Sequence, residues 1–460
     1  MWYLVWGADN KKIYFHDDYA GNRQNDISVV TIEGEVKTVV ETGGQCQLQD
    51  ISPDGQYVLY ASDEGEQLNL YRYDTYANRT DQLTDSTNPI SQARYSLDGT
   101  KIAYATTDSD TEGESVYLAN ADGTSPTRLS IGAPESQTEL AAWGPESEKL
   151  LIGDDANGWN QAGIYSVSDN TVKWLGEAEY DETPLVFDPE GNSVLALRSR
   201  NATSMPIRYH LNSGGVELLS LPDGVSFFPR VQGRVFDVNR NIVLQHATGS
   251  HRKELFQYDI RRDTTKTLIS ASYGDHNPSS FVEPEYITYE STDGLEIGGL
   301  LYKSGQRPSP GIVSVHGGPH GQARRLFNLR TQFLVRCGYT VFEPNYRGST
   351  GRGREFESKV HGDWGGMEQA DIVAAGDWLK HLDWIDSSRV AVLGSSYGGY
   401  SAYMQLVQYP DYWTTAIAWN GITDLQTLYE EAMPHIQSYE FTPKSRQPAQ
   451  RDPVRASHCC

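Results

Sequence analysis

The chain has 460 residues, of which 38% are hydrophobic and 22% are charged. A single hydrophobic core stops growing at about 250 to 300 residues, so this length predicts two or three domains. The net charge of −23 argues against nucleic acid as a partner, because a phosphate backbone attracts basic surfaces and repels acidic ones. No apolar run approaches the ~20 residues that a membrane span requires, so we expect no membrane partner.

The first residues, MWYLVWGADNKK, lack the basic region and the apolar length of a secretory signal, which predicts a cytoplasmic protein. Cysteines at positions 46, 337, 459 and 460 are too few and too scattered for a disulfide framework or a paired metal-ligand motif. We therefore expect neither a metal nor another cofactor. The excess of acids and the shortage of lysine resemble proteins from salt-loving organisms, in which salt screens self-repulsion. An ordinary acidic protein is the alternative.

A short motif recurs along residues 1–280. Its pattern is an aromatic or aliphatic residue, a small residue, Pro or Leu, an acid and Gly, with copies at positions 9, 54, 98, 146, 190 and, in degenerate form, 239. The spacings of 45, 44, 48, 44 and 49 residues are typical of β-propeller blades. Each copy predicts a turn between two strands, since Pro fixes φ and Gly tolerates positive φ. We predict a β-propeller over 1–280 with six repeats. If a propeller of this type has seven blades, the first blade is absent from this chain. A β-sandwich with irregular insertions is the alternative.

The pattern changes near residue 280. Strands are predicted at 295–302, 311–315, 339–343 and 389–393, and helices at 326–337, 371–382 and 400–409. This alternation predicts a mostly parallel sheet covered by helices. We assign 281–442 to a partial α/β-hydrolase domain and 443–460 to an atypical tail, whose four basic residues and one acid suggest a shifted or prematurely ended reading frame.

The sequence Gly394-Ser395-Ser396-Tyr397-Gly398 lies between a predicted strand and a predicted helix. A Gly-x-Ser-x-Gly sequence in this position forms a nucleophile elbow, whose glycines permit the tight turn that lifts the hydroxyl of Ser396 above the sheet. A helix beginning at Tyr397 directs its first backbone N–H toward developing negative charge. We predict Ser396 as the nucleophile and the N–H of Tyr397 as an oxyanion donor.

A second glycine motif, His316-Gly317-Gly318-Pro319, directly follows the strand predicted at 311–315. A glycine turn at a strand end can offer an unobstructed backbone N–H to the oxyanion of a tetrahedral intermediate. We predict Gly318 as the second oxyanion donor. For His316 we favour a structural role that pins the turn over a role in acid–base catalysis.

Together with the blade repeats, four ordered motifs resemble the prolyl oligopeptidase family, most closely its acylaminoacyl peptidase branch. The resemblance implies a serine peptidase that cleaves short peptides, N-acylated or proline-containing, through an acyl-enzyme on Ser396. The partner of this chain would be its short peptide substrate. Whether the chain forms a homo-oligomer is left open. The resemblance also implies supporting, noncatalytic roles for one set of residues. The motifs are His316-Gly317-Gly318-Pro319, Pro344-Asn345-Tyr346-Arg347-Gly348-Ser349, His361-Gly362-Asp363-Trp364-Gly365-Gly366 and Gly394-Ser395-Ser396-Tyr397-Gly398-Gly399-Tyr400, and the supporting residues are Tyr346, Arg347, Asp363 and Trp364.

The family places its catalytic acid and histidine well beyond the nucleophile, whereas only 64 residues follow Ser396. Asp424 comes too early to be that acid, and His458 is misplaced for the base. We therefore expect a C-terminally truncated chain whose hydrolysis is slowed at least ~10³-fold by the missing triad members. Two alternatives stay open: a catalytically inactive binding protein and a carboxylic esterase.

Overall fold

The computed structural model describes residues 4–18, 25–65, 67–107, 113–228 and 235–431. Within these ranges an all-β region of repeated four-stranded units precedes an α/β region, which confirms the predicted fold class. His458 and the tail 443–460 lie outside the described residues. None of the described helices is both long and apolar enough to cross a membrane.

The β region is a succession of antiparallel meanders of four strands each. The fifth and sixth meanders are joined into one sheet by a single parallel bridge between Ser204 and Val225. The described strands are β1 (Leu4–Trp6), β2 (Lys12–Asp17), β3 (Asp26–Thr31), β4 (Val36–Val40), β5 (Cys46–Ile51), β6 (Tyr57–Ser62), β7 (Asn69–Asp74), β8 (Arg79–Gln82), β9 (Ile90–Tyr95), β10 (Lys101–Thr107), β11 (Glu114–Asn120), β12 (Thr127–Arg128), β13 (Thr138–Trp143), β14 (Lys149–Asp154), β15 (Gln161–Ser166), β16 (Thr171–Trp174), β17 (Glu182–Phe187), β18 (Ser193–Arg200), β19 (Thr203–His210), β20 (Val216–Leu218), β21 (Val225–Phe227), β22 (Ile242–Ala247), β23 (Glu254–Asp259) and β24 (Thr264–Ile269).

The recurring motif forms the same turn in all six copies. A backbone N–H closes each turn on the carbonyl three residues earlier, at 2.8 to 3.0 Å. The residue that donates this N–H has a φ between +50° and +80° in every copy, so the turn is retained even where glycine is absent. The donors are Asn10, Gly55, Gly99, Ser147, Gly191 and Arg240.

Separate hydrophobic clusters fill the spaces between successive sheets, from the first and second to the fifth and sixth. The first strands of neighbouring sheets are also linked by hydrogen bonds. Arg94 donates to the carbonyl of Gln49 at 2.9 Å, and the indole of Trp143 donates to the carbonyl of Arg94 at 3.3 Å. Face-to-face stacking of consecutive four-stranded sheets is the arrangement of a β-propeller.

The α/β region is built on a six-stranded sheet with the order β25-β26-β28-β27-β29-β30. The pairs β25–β26 and β26–β28 are antiparallel, and the other three pairs are parallel. A 3-10 helix (Pro278–Ser280) precedes this sheet. The elements are β25 (Glu285–Glu290), β26 (Glu296–Tyr302), β27 (Ser309–Val315), α1 (Leu329–Arg336), β28 (Thr340–Asn345), α2 (Gly353–Ser358), α3 (Met367–Lys380), β29 (Ile385–Ser395), α4 (Tyr397–Gln408), β30 (Ala416–Trp419) and α5 (Leu425–Glu431).

The helices begin at different residues from those predicted. Helix α1 begins at Leu329, because the side chain of Asn328 caps it by accepting the N–H groups of Arg330 and Thr331. Helix α3 begins earlier than predicted, at Met367, whereas α4 begins at Tyr397, as the elbow motif predicts and three residues before the helical pattern at 400–409. Glycines precede or occupy both first turns, and their low helix propensity hides these starts from a sequence pattern.

Candidate active site

Ser396 lies in the turn between β29 and α4, where the carboxyl ends of the parallel strands meet. Its φ of 58° and ψ of −122° are a conformation that a side chain rarely adopts. The residue is exposed, and its backbone N–H donates to the carbonyl of Trp419 at 3.1 Å. A strained, outward-pointing serine between a strand and a helix is the geometry of a nucleophile elbow.

The glycines around Ser396 are required by close packing. A β-carbon on Gly394 would lie 2.0 Å from the carbonyl oxygen of Gly398, and one on Gly398 would lie 2.2 Å from that of Val315. Both distances are far below van der Waals contact, so the two glycines let strand β29 and helix α4 approach each other and the end of β27.

The loop after β27 passes directly beside the serine. A β-carbon on Gly317 would lie 3.8 Å from the Ser396 hydroxyl oxygen. The next residue, Gly318, is exposed and has a φ of +133°, which only glycine adopts easily. A side chain at Gly318 would also meet the backbone nitrogen of His320 at 2.6 Å. The structure thus brings Gly317 and Ser396 together, while the donor roles of Gly318 and Tyr397 stay predictions.

His316 is held by the loop that it begins. Its Nδ1 is 2.8 Å from the carbonyl of Gly317, which can only accept, so Nδ1 carries the proton. Its Nε2 is 2.9 Å from the Ser349 hydroxyl, and the ring stacks on Tyr346 at 4.3 Å. Burial lowers the pKa of His316 to about 4. With both ring nitrogens engaged, a neutral His316 is suited to fixing the turn.

Tyr397 sends its side chain away from the solvent and into the domain. Its phenol is fully buried and donates to Oε1 of Glu368 at 2.8 Å. The same oxygen accepts the N–H of Gly365. Burial raises the pKa of the Glu368 carboxyl. This buried carboxyl therefore ties the first residue of α4, a predicted oxyanion donor, to the start of α3.

Arg347 joins three segments beneath the site. Its guanidinium makes a two-pronged contact with the fully buried carboxylate of Asp371, at 2.9 and 2.7 Å, and another with Asp293, at 3.0 Å on both sides. Asp371 also accepts the hydroxyl of Ser291 at 2.5 Å. These contacts are structural, and they hold the loop after β28 against α3.

The other two supporting residues lie at the start of α3. Asp363 accepts the N–H of Met367, the first residue of this helix, at 2.9 Å. The Trp364 ring packs edge-on against that of Tyr397, with their centroids 5.1 Å apart. Both side chains thus shape the surroundings of the elbow.

No histidine or carboxylate in the described residues contacts the Ser396 hydroxyl, and its oxygen has no hydrogen-bond partner there. Asp424 accepts the N–H of Thr427 at 2.9 Å and thereby caps α5. Within the same part of the chain, no group of three or more His, Cys, Asp or Glu residues could hold a metal ion. Within the described residues, the predicted nucleophile Ser396 therefore has no general base beside it.

Two family models match the chain. The TolB beta propeller domain model matches residues 5–224, and the prolyl oligopeptidase family model matches residues 325–457. The second match contains the turn at Ser396 and extends into the tail 443–460, which the sequence analysis had separated from the α/β domain by its composition. The α/β part of the chain therefore resembles the prolyl oligopeptidase family, and the β part resembles the TolB propeller.

Solved structures show the same fold at low sequence identity. A puromycin-hydrolyzing peptidase of Mycobacterium tuberculosis superposes with a TM-score of 0.80 at 18% identity, over 97% of this chain and 73% of that one. A puromycin hydrolase superposes with a TM-score of 0.72 at 17% identity, over 96% of this chain and 80% of that one. The chain thus shares its overall fold with these two proteins.

Curated relatives align with only part of this chain. The dipeptidyl aminopeptidase BIII of Pseudoxanthomonas mexicana is 33% identical over 132 residues, which are 29% of this chain and 19% of that protein. The acylamino-acid-releasing enzyme of Homo sapiens is 29% identical over 150 residues, which are 32% of this chain and 20% of that protein. The aligned part of this chain thus spans about a fifth of these relatives.

Sequence reasoning missed Glu368, although a signal for it exists. Glu368 and Asp371 fall on the same helical stripe as the buried Ile372, Ala375 and Leu379 of α3. Acids on an apolar stripe are rarely buried without a partner. Their spacing therefore points to buried hydrogen-bonding roles.

Proposed function

We propose that the chain is a serine peptidase that hydrolyses short peptides, N-acylated or proline-containing, through an acyl-enzyme on Ser396. The observation that carries the proposal is the strained, exposed Ser396 between β29 and α4, with Gly317 of the neighbouring loop beside its hydroxyl. Backbone strain of this kind persists where function requires it.

The chemistry follows from the elbow. As the Ser396 oxygen attacks the carbonyl carbon of the scissile bond, the hydroxyl proton passes to solvent water and the carbonyl oxygen becomes an oxyanion. The first N–H groups of a helix lack intrahelical acceptors, so the N–H of Tyr397 is available to donate to this oxyanion. The N–H of Gly318 is the second proposed donor. Collapse of the intermediate breaks the C–N bond, and the amine leaves with a proton taken from water while the acyl group stays on Ser396. A further water then hydrolyses this ester, which releases the carboxylic acid and restores the Ser396 hydroxyl.

A second candidate function is peptide binding without hydrolysis. It is favoured by the absence, within the described residues, of any base in contact with the Ser396 hydroxyl. Serine is a weak nucleophile at neutral pH unless a neighbouring base accepts its proton. A carboxylic esterase is a third option, although simple esterases have no propeller.

The test compares the chain with its Ser396→Ala variant. We expect a fluorophosphonate probe to label the chain, and an acyl-alanine anilide or a proline-containing dipeptide anilide to be hydrolysed, both in a Ser396-dependent way. Ser395→Ala is the matched control, because Ser395 ends the same strand and should be dispensable for labelling. Hydrolysis that survives Ser396→Ala would refute the proposal, and hydrolysis of esters but not anilides would favour the esterase.

A further inference from the structure

Positive charge is concentrated beside the nucleophile in an otherwise acidic protein. Residues 303–347 contain seven basic residues and one acid, whereas the whole chain has a net charge of −23. This segment includes the loop after β27, helix α1 and the strand β28. Such a local reversal of charge calls for either internal ion pairs or an anionic ligand.

Most of these basic side chains have a partner within the protein. Lys303 and Arg325 form ion pairs, and Arg347 forms ion pairs with two carboxylates. Arg307 lies over the ring of Trp384, and Arg336 donates a hydrogen bond to Ser280. Two remain. The guanidinium groups of Arg324 and Arg330 make neither a salt bridge nor a hydrogen bond within the described residues.

Arg330 lies close to the nucleophile. It is in the first turn of α1, and its guanidinium carbon is 5.9 Å from the ring centre of Trp419. The backbone carbonyl of this tryptophan accepts the N–H of Ser396 at 3.1 Å. Trp419 is 57% exposed, so the surface between Arg330 and the elbow is open to a ligand.

Arg324 is held in place from both sides. The buried Asn345 accepts the N–H of Ala323 at 2.6 Å and donates to its carbonyl at 3.0 Å. The N–H of Arg325 donates to the carbonyl of Ala202 in the propeller, at 2.7 Å. Arg324 itself is exposed, yet surrounding protein atoms lower its guanidinium pKa by desolvation. The Arg324 side chain is therefore accessible to solvent.

We propose that Arg324 and Arg330 form a recognition site for a carboxylate of the substrate, next to the scissile bond. The planar guanidinium group matches the geometry of a carboxylate and forms charge-assisted hydrogen bonds with it. The substrate class is then short peptides that carry a free C-terminal carboxylate or an acidic side chain near the bond that is cleaved. That the ligand is a peptide rests on the proposed function.

The experiment measures binding in the full chain with Ser396→Ala, so that no peptide is consumed. Three probes are compared by calorimetry: acetyl-trialanine with a free C-terminus, its C-terminal amide, and the amide of acetyl-Ala-Ala-Glu. We expect the free acid to bind at least about tenfold more tightly than the plain amide, as charge-assisted hydrogen bonds require. Recovery of affinity by the glutamate amide would identify a side-chain carboxylate as a second source.

Arg324→Gln and Arg330→Gln should each reduce binding of the free acid toward that of the amide. Arg330→Lys retains the charge and should keep part of the preference. Arg336→Gln, at the other end of the same helix, is the matched control and should keep all of it. Unchanged urea midpoints will show that the variants fold.

Equal binding of acid and amide, absence of binding by all three peptides, or a preference that survives both Gln variants would overturn the proposal. None of these outcomes depends on hydrolysis. A chain that fails to hydrolyse peptides yet prefers the free acid would refute the proposed peptidase activity and leave the carboxylate site standing.

Discussion

The phenol of Tyr397 donates a 2.8 Å hydrogen bond to the buried carboxyl of Glu368. Replacing Glu368 with Ala leaves this phenol and the N–H of Gly365 without their acceptor. Each buried donor that loses its acceptor costs about 1–3 kcal/mol. We expect Glu368→Ala to lower the free energy of unfolding by this amount or more, as measured by urea denaturation.

Glu368→Gln is the control, because its amide oxygen can still accept both hydrogen bonds. Its loss of stability should be clearly smaller than that of Glu368→Ala. Similar losses in the two variants would mean that these hydrogen bonds contribute little to the stability of the elbow.

The same carboxyl predicts a pH dependence of stability. Burial raises the pKa of Glu368 above its ordinary value of 4.5 in the folded protein. The folded state therefore binds more protons than the unfolded state above this pH, and its stability falls as the pH rises. Glu368→Gln removes this contribution.

We expect the variant to gain stability relative to the original chain as the pH rises above about 4.5, with little relative change below it. Taking the difference between the two proteins cancels the other buried carboxyls. Urea midpoints measured from pH 4 to pH 8 provide the test, and parallel pH profiles would contradict the prediction.

Arg347 should be among the most sensitive residues of the α/β domain. Its removal leaves the carboxylate of Asp371, which is fully buried, without a counter-charge. Breaking a buried ion pair on one side costs about 3–5 kcal/mol. We expect Arg347→Met to destabilise the domain by this amount in chemical denaturation.

Asp293→Asn is the matched variant on the solvent side of the same arginine. Asp293 is 42% exposed, so its contact with Arg347 is weakened by solvent and should contribute about 1 kcal/mol or less. If both variants were equally destabilised, the burial of Asp371 would not be the cause.

Gly398→Ala should disturb the elbow directly. Its added methyl group would lie 2.2 Å from the carbonyl oxygen of Val315, and a backbone atom has to move to make room. Overpacking of this kind costs about 1–3 kcal/mol. We expect lower stability together with weaker fluorophosphonate labelling of Ser396.

Gly305→Ala is the control for Gly398→Ala. Nothing lies within 4 Å of the β-carbon added at Gly305, and its backbone does not require glycine. A surface change of this type should alter stability by no more than about 0.5 kcal/mol. Normal labelling in Gly398→Ala would show that the elbow tolerates displacement.

The propeller was predictable because its turn recurs with a clear pattern, and Ser396 because its motif lies between a strand and a helix. Repeats and turn chemistry are local properties, which a sequence displays directly. Even the degenerate copy at Arg240 keeps the positive φ of the others.

Contacts between distant segments could not be predicted in this way. Arg347 meets Asp293, which is 54 residues away, and the unpaired state of Arg324 depends on every neighbour that the fold brings near it. Short or edge elements such as β25, α2 and β30 were also missed, because their patterns are too brief to show a period.

The unusual backbone of Ser396 has a consequence for selection. A serine with φ of 58° and ψ of −122° costs about 1–3 kcal/mol that glycine would largely avoid. A lineage that no longer needed the hydroxyl would gain thermal tolerance by mutating this codon to one for glycine. At this position the hydroxyl that hydrolysis requires lowers thermal stability. Ser396→Gly is therefore the substitution to expect in relatives that keep the fold and lose the hydrolytic activity.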